Sequence, residues 1–274
     1  MIKSVIGSIG AAAHRLLSNW RASLIFLLLY MAMLLGIYLF LTTGVATVGQ
    51  LAILGVTVIF APVIFFVIQA MAVSYMTGEP GSDESDAARL VKRSLKGFWK
   101  IVLISIPFLL LAWLLVYLID KIPAGAAVAH EAIRTGPSPV RGAPHPAPQP
   151  TDWRGIGLAA LEFLIFGIAL PLAAVNLWIA TARDGLRQAA RRAHRTLYKS
   201  FAPGTLLVYL IGLLIFGIVP YLLVDMRPPM KGALIEVGQL GIQLALAALL
   251  SLFGWVLTLG ALTDRQKSEV ATRS

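Results

Sequence analysis

Polar side chains inside long apolar segments are the residues of this chain with the clearest potential for chemistry. Glu162 lies about two helical turns beyond Arg154 in the fourth apolar segment. Gln239 and Gln243 lie at comparable depth in the sixth, which starts from the same side of the predicted membrane. A cluster of these three residues is therefore feasible. Two interpretations stay open: interhelical hydrogen bonds worth ~0.6–1.7 kcal/mol each, or a path for an ion or a proton.

Basic side chains recur at helical spacing in two polar segments, residues 86–100 and 183–201. This pattern is typical of helices that lie on the cytoplasmic leaflet, where each basic residue gains ~1 kcal/mol from anionic lipid. The alternative is that the charges only orient the chain. The candidate lipid-binding or partner-binding face comprises Arg89, Lys92, Arg93, Lys96, Arg187, Arg191, Arg195 and Lys199.

Catalytic and metal-binding patterns are not found in the sequence. The chain has no cysteine, and its four histidines lie outside the apolar segments without metal-ligand spacing. It also lacks a phosphate-binding glycine loop, a G-x-S-x-G elbow and an H-E-x-x-H motif. We therefore expect no enzymatic activity, no metal and no cofactor.

The composition indicates an all-α, polytopic membrane protein. The 274 residues are 58% hydrophobic and 13% charged, with a mean hydropathy of +0.82, whereas soluble chains carry about 25% charged residues. We predict one membrane domain over residues 1–274, formed by six apolar runs long enough to cross ~30 Å of hydrocarbon. The predicted transmembrane helices are residues 23–41, 51–76, 101–119, 156–182, 205–224 and 234–262.

The distribution of Lys and Arg predicts the orientation. Most of the 23 basic residues flank the apolar segments on the side that holds both termini, which the positive-inside rule places in the cytoplasm. Residues 1–21 form a cytoplasmic amphipathic segment in this prediction. The proline-rich residues 122–152 form an external loop, interpreted as a linker or as a docking strap for a partner. We attribute the net charge of +10 to topology and expect no nucleic-acid binding.

An internal duplication is also predicted. Pro62 followed by Gln69 in the second helix matches Pro171 followed by Asn176 in the fourth. In each case a basic segment, another apolar helix and an aspartate come next. Because the two copies have the same predicted orientation, the pattern indicates a parallel repeat of a kind found in transporters.

The basic segments end in similar tripeptides, Phe98 to Lys100 and Leu197 to Lys199, before a long apolar helix. With this pattern of basic tripeptide and apolar helix, the chain resembles bacterial six-helix inner-membrane proteins akin to the membrane domain of some glycerophosphodiester phosphodiesterases. The resemblance implies a bacterial inner membrane. It implies no activity, because a soluble phosphodiesterase domain is absent.

Two functions remain in view. The favoured one is a non-catalytic scaffold or accessory subunit whose basic cytoplasmic face binds lipids, anionic ones in particular, a protein partner or a second copy of the chain. The alternative is a transporter or channel for an ion or small solute, built on the repeat, with Glu162 in the path.

Overall fold

The computed structural model describes residues 2–78, 87–121, 153–226 and 233–271. Within these ranges every regular secondary-structure element is a helix, so the all-α prediction is confirmed. The predicted external loop, residues 122–152, lies outside the described residues.

Eleven α-helices and two π-helical segments are described. They are α1 (Ile2–Ser18), α2 (Trp20–Thr42), α3 (Val48–Thr77), α4 (Ala87–Asp120), α5 (Trp153–Glu162), the first π segment (Phe163–Ala169), α6 (Leu170–Asp184), α7 (Leu186–Arg191), α8 (Ala193–Ser200), α9 (Pro203–Leu213), the second π segment (Leu214–Ile218), α10 (Val219–Asp225) and α11 (Ala233–Ala271).

Six helical stretches in the described residues are long and apolar enough to cross a bilayer, as the sequence predicts. They are Trp20–Thr42, Val48–Thr77, Ala88–Asp120, Gly155–Asp184, Pro203–Asp225 and Ile235–Lys267. The chain divides into two compact units. The main unit comprises Met1–Ser105 and Leu172–Ser274, and the minor unit comprises Ile106–Pro171.

Side-chain caps define the ends of the first two transmembrane helices. The Asn19 side chain accepts a hydrogen bond from the Ala22 backbone N–H at 3.1 Å and separates α1 from α2. Thr47 and Gln50 form a capping box at the start of α3, in which each side chain accepts from the other residue's backbone N–H. Because a capping box satisfies two otherwise unpaired donors, the polar segment between the predicted transmembrane helices 23–41 and 51–76 is a short, defined turn.

Burial in the main unit is concentrated at one end of its helices. The buried runs are residues 68–73 of α3, 175–181 of α6 and 258–263 of α11. Each run is followed within a few residues by a residue that lines the same cavity: Thr77 in α3, Arg183 in α6 and Lys267 in α11. These helix ends therefore lie together, and we call them, with α7 and α8, the basic end.

Large apolar side chains away from the basic end are exposed. In the main unit they include Leu41 of α2, Val56 of α3 and Val237 of α11. Exposure on this scale would promote aggregation in water, but lipid tails are as apolar as these side chains. The exposed surface thus fits a protein whose helices are covered by a bilayer.

Helix α1 packs on protein along one face. Ala12 and Leu16 are buried, and a Cβ atom added to Gly260 of α11 would lie only 2.6 Å from the Ala12 Cβ atom. The Arg15 guanidinium donates to the carbonyl oxygens of Met76 at 3.0 Å and Gly78 at 2.6 Å, at the C-terminal end of α3. These contacts fix α1 against the ends of α3 and α11.

The first basic segment is not the separate surface helix that we expected, and the second is not one continuous helix. Residues 87–100 are the first part of α4, which continues to Asp120 and is about 50 Å long at 1.5 Å per residue. The second segment is divided into α7 and α8 at Arg192. Gly185 separates it from α6 with φ at +83°, a value that glycine adopts without steric cost.

The two π segments share a sequence. Leu-Ile-Phe-Gly-Ile occurs at residues 164–168 and again at 214–218, and a proline follows each at Pro171 and Pro220. Proline has no N–H to donate and clashes with the carbonyl one turn before it, which accounts for the change in helical hydrogen bonding. In both motifs the glycine lies against the side chain of the residue four positions earlier, Phe163 for Gly167 and Leu213 for Gly217. A Cβ atom added to either glycine would lie about 3.1 Å from that side chain. This local repeat was missed in the sequence, although five identical residues could have revealed it.

Candidate functional site

Two polar cavities open at the basic end of the main unit. The larger has a volume of about 420 Å³, and the smaller has a volume of about 220 Å³. Arg183, next to the last residue of α6, lines both. The cavities thus form one basic region with two compartments.

Three helices supply the cations of the larger cavity. Arg93 comes from α4, Arg183 from α6 and Lys267 from α11. The hydroxyl-bearing Thr77 and Thr263 lie among them. Helix C-termini carry partial negative charge, so Arg183 in the last turn of α6 is electrostatically favoured.

The smaller cavity has the higher density of positive charge. Its cations are Arg183, Arg192, Arg195 and Lys199, and its carboxylate is Asp184. Positions 192, 195 and 199 follow the spacing of one helical face. The short helix α8 and the residue before it therefore direct three cations into one compartment.

Arg183 is held by its neighbour in sequence. Its Nε donates to Oδ1 of Asp184 at 2.8 Å and its Nη2 donates to Oδ2 at 3.0 Å. Such a two-point pair restricts the orientation of the guanidinium plane. Asp184 therefore positions one cation and neutralises part of the charge of the smaller cavity.

Uncharged polar residues complete the smaller cavity. Asn176 of α6 is only 3% exposed. Its Oδ1 accepts from Nε2 of Gln266 at 2.7 Å, and its Nδ2 donates to the Leu172 carbonyl at 2.8 Å. Thr196 and Thr205 add hydroxyl groups to the lining. The amide pair joins α6 to α11 beneath the cations.

The amides at matching positions of the predicted repeat are bound in matching ways. Gln69 of α3 is buried and accepts from the indole Nε1 of Trp255 at 2.8 Å. Asn176 is bonded to Gln266, and both partners belong to α11. Each amide thus fixes its own helix to the same long helix. The parallel repeat itself stays a prediction.

The predicted basic face is only partly assembled around the cavities. Arg93 lines the larger cavity, and Arg195 and Lys199 line the smaller one. The other predicted residues are exposed and lie outside the lining of both cavities. They are Arg89, Lys92, Lys96, Arg187 and Arg191.

Sequence reasoning missed Arg183, Arg192 and Lys267 as cavity residues. We extended one four-residue spacing of basic residues through the whole second segment, whereas the helix is interrupted at Arg192. The interruption changes the register, so Arg192 enters the cavity and Arg191 does not. Gly185 indicates the break between α6 and α7, but no residue of the sequence indicates the interruption at Arg192.

The predicted intramembrane cluster is divided between the two units. Glu162 belongs to the minor unit, ends α5 just before the first π segment, and is exposed. Gln239 and Gln243 belong to the main unit and are half-buried. The Gln243 Nε2 donates to the Met226 carbonyl at 3.0 Å. Pairing of Glu162 with the glutamines stays a prediction.

The linings of the two cavities carry more cations than carboxylates, which suits them to anions. In the parts of the chain that the structure describes, no three acidic or histidine side chains come together as metal ligands. Fold and site together define a polytopic all-α membrane protein with a basic, bipartite cavity at one end. Comparisons with models of known protein families, with curated proteins and with solved structures gave no match.

Proposed function

We propose that the protein is a non-catalytic accessory or scaffold protein of a bacterial inner membrane. Its basic end would engage anionic lipid or a protein partner, and both termini would lie in the cytoplasm. The observation that supports this function is the concentration of cations from α4, α6, α8 and α11 around two cavities at one end of the main unit. Arginine is well suited to bind phosphate and carboxylate groups.

The position of the charge supports this proposal over a purely topological role. Orientation needs basic residues near the ends of the spans, but it does not need them to converge on a cavity. Arg93 and Lys267 are far apart in sequence, yet they line the same compartment with Arg183. A binding role explains this convergence, and the resemblance to bacterial inner-membrane proteins agrees with the proposed location.

Lipid retention tests the function. Joint replacement of Arg93, Arg195 and Lys267 by Gln, which removes cations from both cavities, should reduce the anionic lipid that copurifies in mild detergent, measured by mass spectrometry. The control replaces three basic residues predicted on the opposite side, Lys121→Gln, Arg227→Gln and Lys231→Gln. Protein partners are identified in the same preparations. Unchanged lipid and protein profiles in both variants would show that the positive charge only orients the chain in the membrane.

The orientation has its own test, because the chain has no competing thiol. Ser138→Cys should react with a membrane-impermeant reagent in intact cells, and Ser274→Cys should react only after the cells are opened. The reverse pattern would place the basic end outside the cytoplasm. Anionic cytoplasmic lipid would then be excluded as its ligand.

A transporter is the second candidate, and the first π segment is the observation that favours it. Glu162 immediately precedes this segment within a transmembrane helix, and π-helical turns are frequent at functional sites. Glu162→Gln should then abolish ion-dependent or proton-dependent flux in reconstituted vesicles. Flux that persists in Glu162→Leu would exclude this candidate.

A further inference from the structure

The smaller cavity of the basic end has the features of a site for one small anion. Its volume of about 220 Å³ is below the ~300–1,000 Å³ typical of sites for drug-sized ligands. Four cations and one carboxylate line it. The cavity therefore has excess positive charge in a space suited to a single compact anionic group.

The cations approach this cavity from separate elements. Arg183 comes from the end of α6, whereas Arg195 and Lys199 come from α8. Arg183 is oriented by its two-point pair with Asp184. Donors that converge from several directions suit an anion whose oxygens are arranged tetrahedrally, because each oxygen can accept from a different side chain.

The uncharged lining supports the same ligand. Thr205 lies in the first turn of α9, whose N-terminus begins at Pro203. The hydroxyl group of Thr205 can donate a hydrogen bond to a phosphate oxygen. Asn176 is buried and accepts a hydrogen bond from the half-buried Gln266, so this part of the lining is preorganised.

We propose that the smaller cavity binds a phosphate group, supplied by the headgroup of an anionic phospholipid or by a free phosphate compound. This inference rests on the proposed function and assigns it to one compartment. The larger cavity is less suitable, since it has fewer cations in almost twice the volume. Arg192, Arg195 and Lys199 bind the phosphate oxygens, and Asp184 positions Arg183 beside them.

The test compares two variants that lose the same charge. The cavity variant combines Arg192→Gln, Arg195→Gln and Lys199→Gln. The surface variant combines Lys92→Gln, Arg187→Gln and Arg191→Gln, all exposed and outside both cavities. Detergent-purified full-length protein is titrated with mixed micelles of phosphatidylglycerol, and in a second arm with inorganic phosphate alone. We expect the cavity variant to weaken phosphatidylglycerol binding by about tenfold or more, and the surface variant by less than about threefold.

The second arm identifies the source of the phosphate. Displacement of phosphatidylglycerol by inorganic phosphate would support the site and assign it to free phosphate compounds. Loss of binding in the cavity variant without such displacement would support a lipid headgroup. A carboxylate lipid, diacylglycerol hemisuccinate, serves as the control for charge. Equally tight binding of this lipid would overturn the assignment to phosphate.

Two further results would overturn the site in different ways. Equal losses in both variants would reject the cavity but keep the basic end as a general anionic surface. No loss in either variant would reject the site and the proposed function together. Arg195→Lys is a conservative variant that we expect to fold normally, because it keeps the positive charge and removes only the planar fork of donors. It should weaken binding by about threefold with unchanged elution and thermal midpoint, and full binding would count against the site.

Discussion

The two halves of α11 have similar apolar character but opposite surroundings. Residues 235–246 are mostly exposed, and Val237 is 69% exposed. Residues 258–263 are buried without exception. Hydropathy alone would place both halves in a membrane equally well. The difference shows that protein packing stabilises the half near the basic end, whereas the other half presents its apolar side chains to its surroundings.

Glycines in α11 show the same contrast at atomic scale. A Cβ atom added at Gly238 or Gly241 would meet nothing within 4 Å. At Gly254 it would lie 3.0 Å from Ile215 and Phe216 side chains, and at Gly260 it would lie 2.9 Å from the Met76 sulfur. Small residues permit close helix contacts in membranes, and α11 uses them for this purpose only in its buried half.

The largest expected effect is at Gly260. Gly260→Ala should lower the free energy of unfolding by about 3 kcal/mol, because the new methyl group overlaps Ala12 and the backbone must move to admit it. Thermal unfolding in detergent measures this change. Gly241→Ala is the control on the same helix and should be neutral or gain at most about 1 kcal/mol from helix propensity. Equal effects at Gly260 and Gly241 would contradict the conclusion that only one half of α11 is closely packed against protein.

The second prediction concerns the link between α1 and α3. Arg15→Met should cost about 2 kcal/mol, since the Met76 and Gly78 carbonyls lose charged donors at the basic end. The control is Arg21→Met on exposed α2, where the arginine lies 5.9 Å from the Trp20 ring. Protease accessibility of α1, followed with the unfolding transition, separates local release of this helix from global loss of stability. A wild-type pattern in Arg15→Met would show that α1 is held without the Arg15 side chain, by its apolar contacts and by the Tyr75 hydroxyl, which donates to the Arg15 carbonyl at 2.7 Å.

The membrane fold was predictable because it depends on a property that sums along the chain. Any helix of about 20 apolar residues can cross a bilayer, so the six spans follow from hydropathy without knowledge of their partners. The predicted second span, residues 51–76, differs from the helix Val48–Thr77 by only a few residues. The polar turn before it could also be located, because its capping residues are local in sequence.

The candidate site was less predictable because it depends on register and on contacts that are remote in sequence. Interruption of the helix at Arg192 decides which basic residues enter the smaller cavity. Lys267 reaches the larger cavity only because α11 ends beside α6. Gln69 was recognised as an intramembrane amide, but its partner Trp255 is 186 positions away. No local pattern identifies such a partner.

A third prediction tests the hydrogen bond that joins the buried half of α11 to α3. Trp255→Phe should cost about 1 kcal/mol, because it keeps most of the ring but leaves the buried Gln69 oxygen without its indole donor. Trp99→Phe is the control at an exposed tryptophan of α4. The double variant Trp255→Phe with Gln69→Leu should recover part of the loss if the cost arises from the unsatisfied amide. Additive losses would show that the two residues contribute by packing alone.

The smallest effect is expected at the exposed half of α11, and it decides what covers that surface. Leu240→Ala should change the free energy of unfolding by less than about 0.5 kcal/mol, because lipid or detergent can fill the space that the side chain leaves. A buried leucine of the same helix, such as Leu259, would cost about 2–5 kcal/mol on the same substitution. The measurement is repeated at several ratios of protein to detergent, because a contact between copies makes apparent stability depend on protein concentration. A cost near that of Leu259 that grows with protein concentration would show that a second copy of the chain, rather than lipid, covers this half of α11.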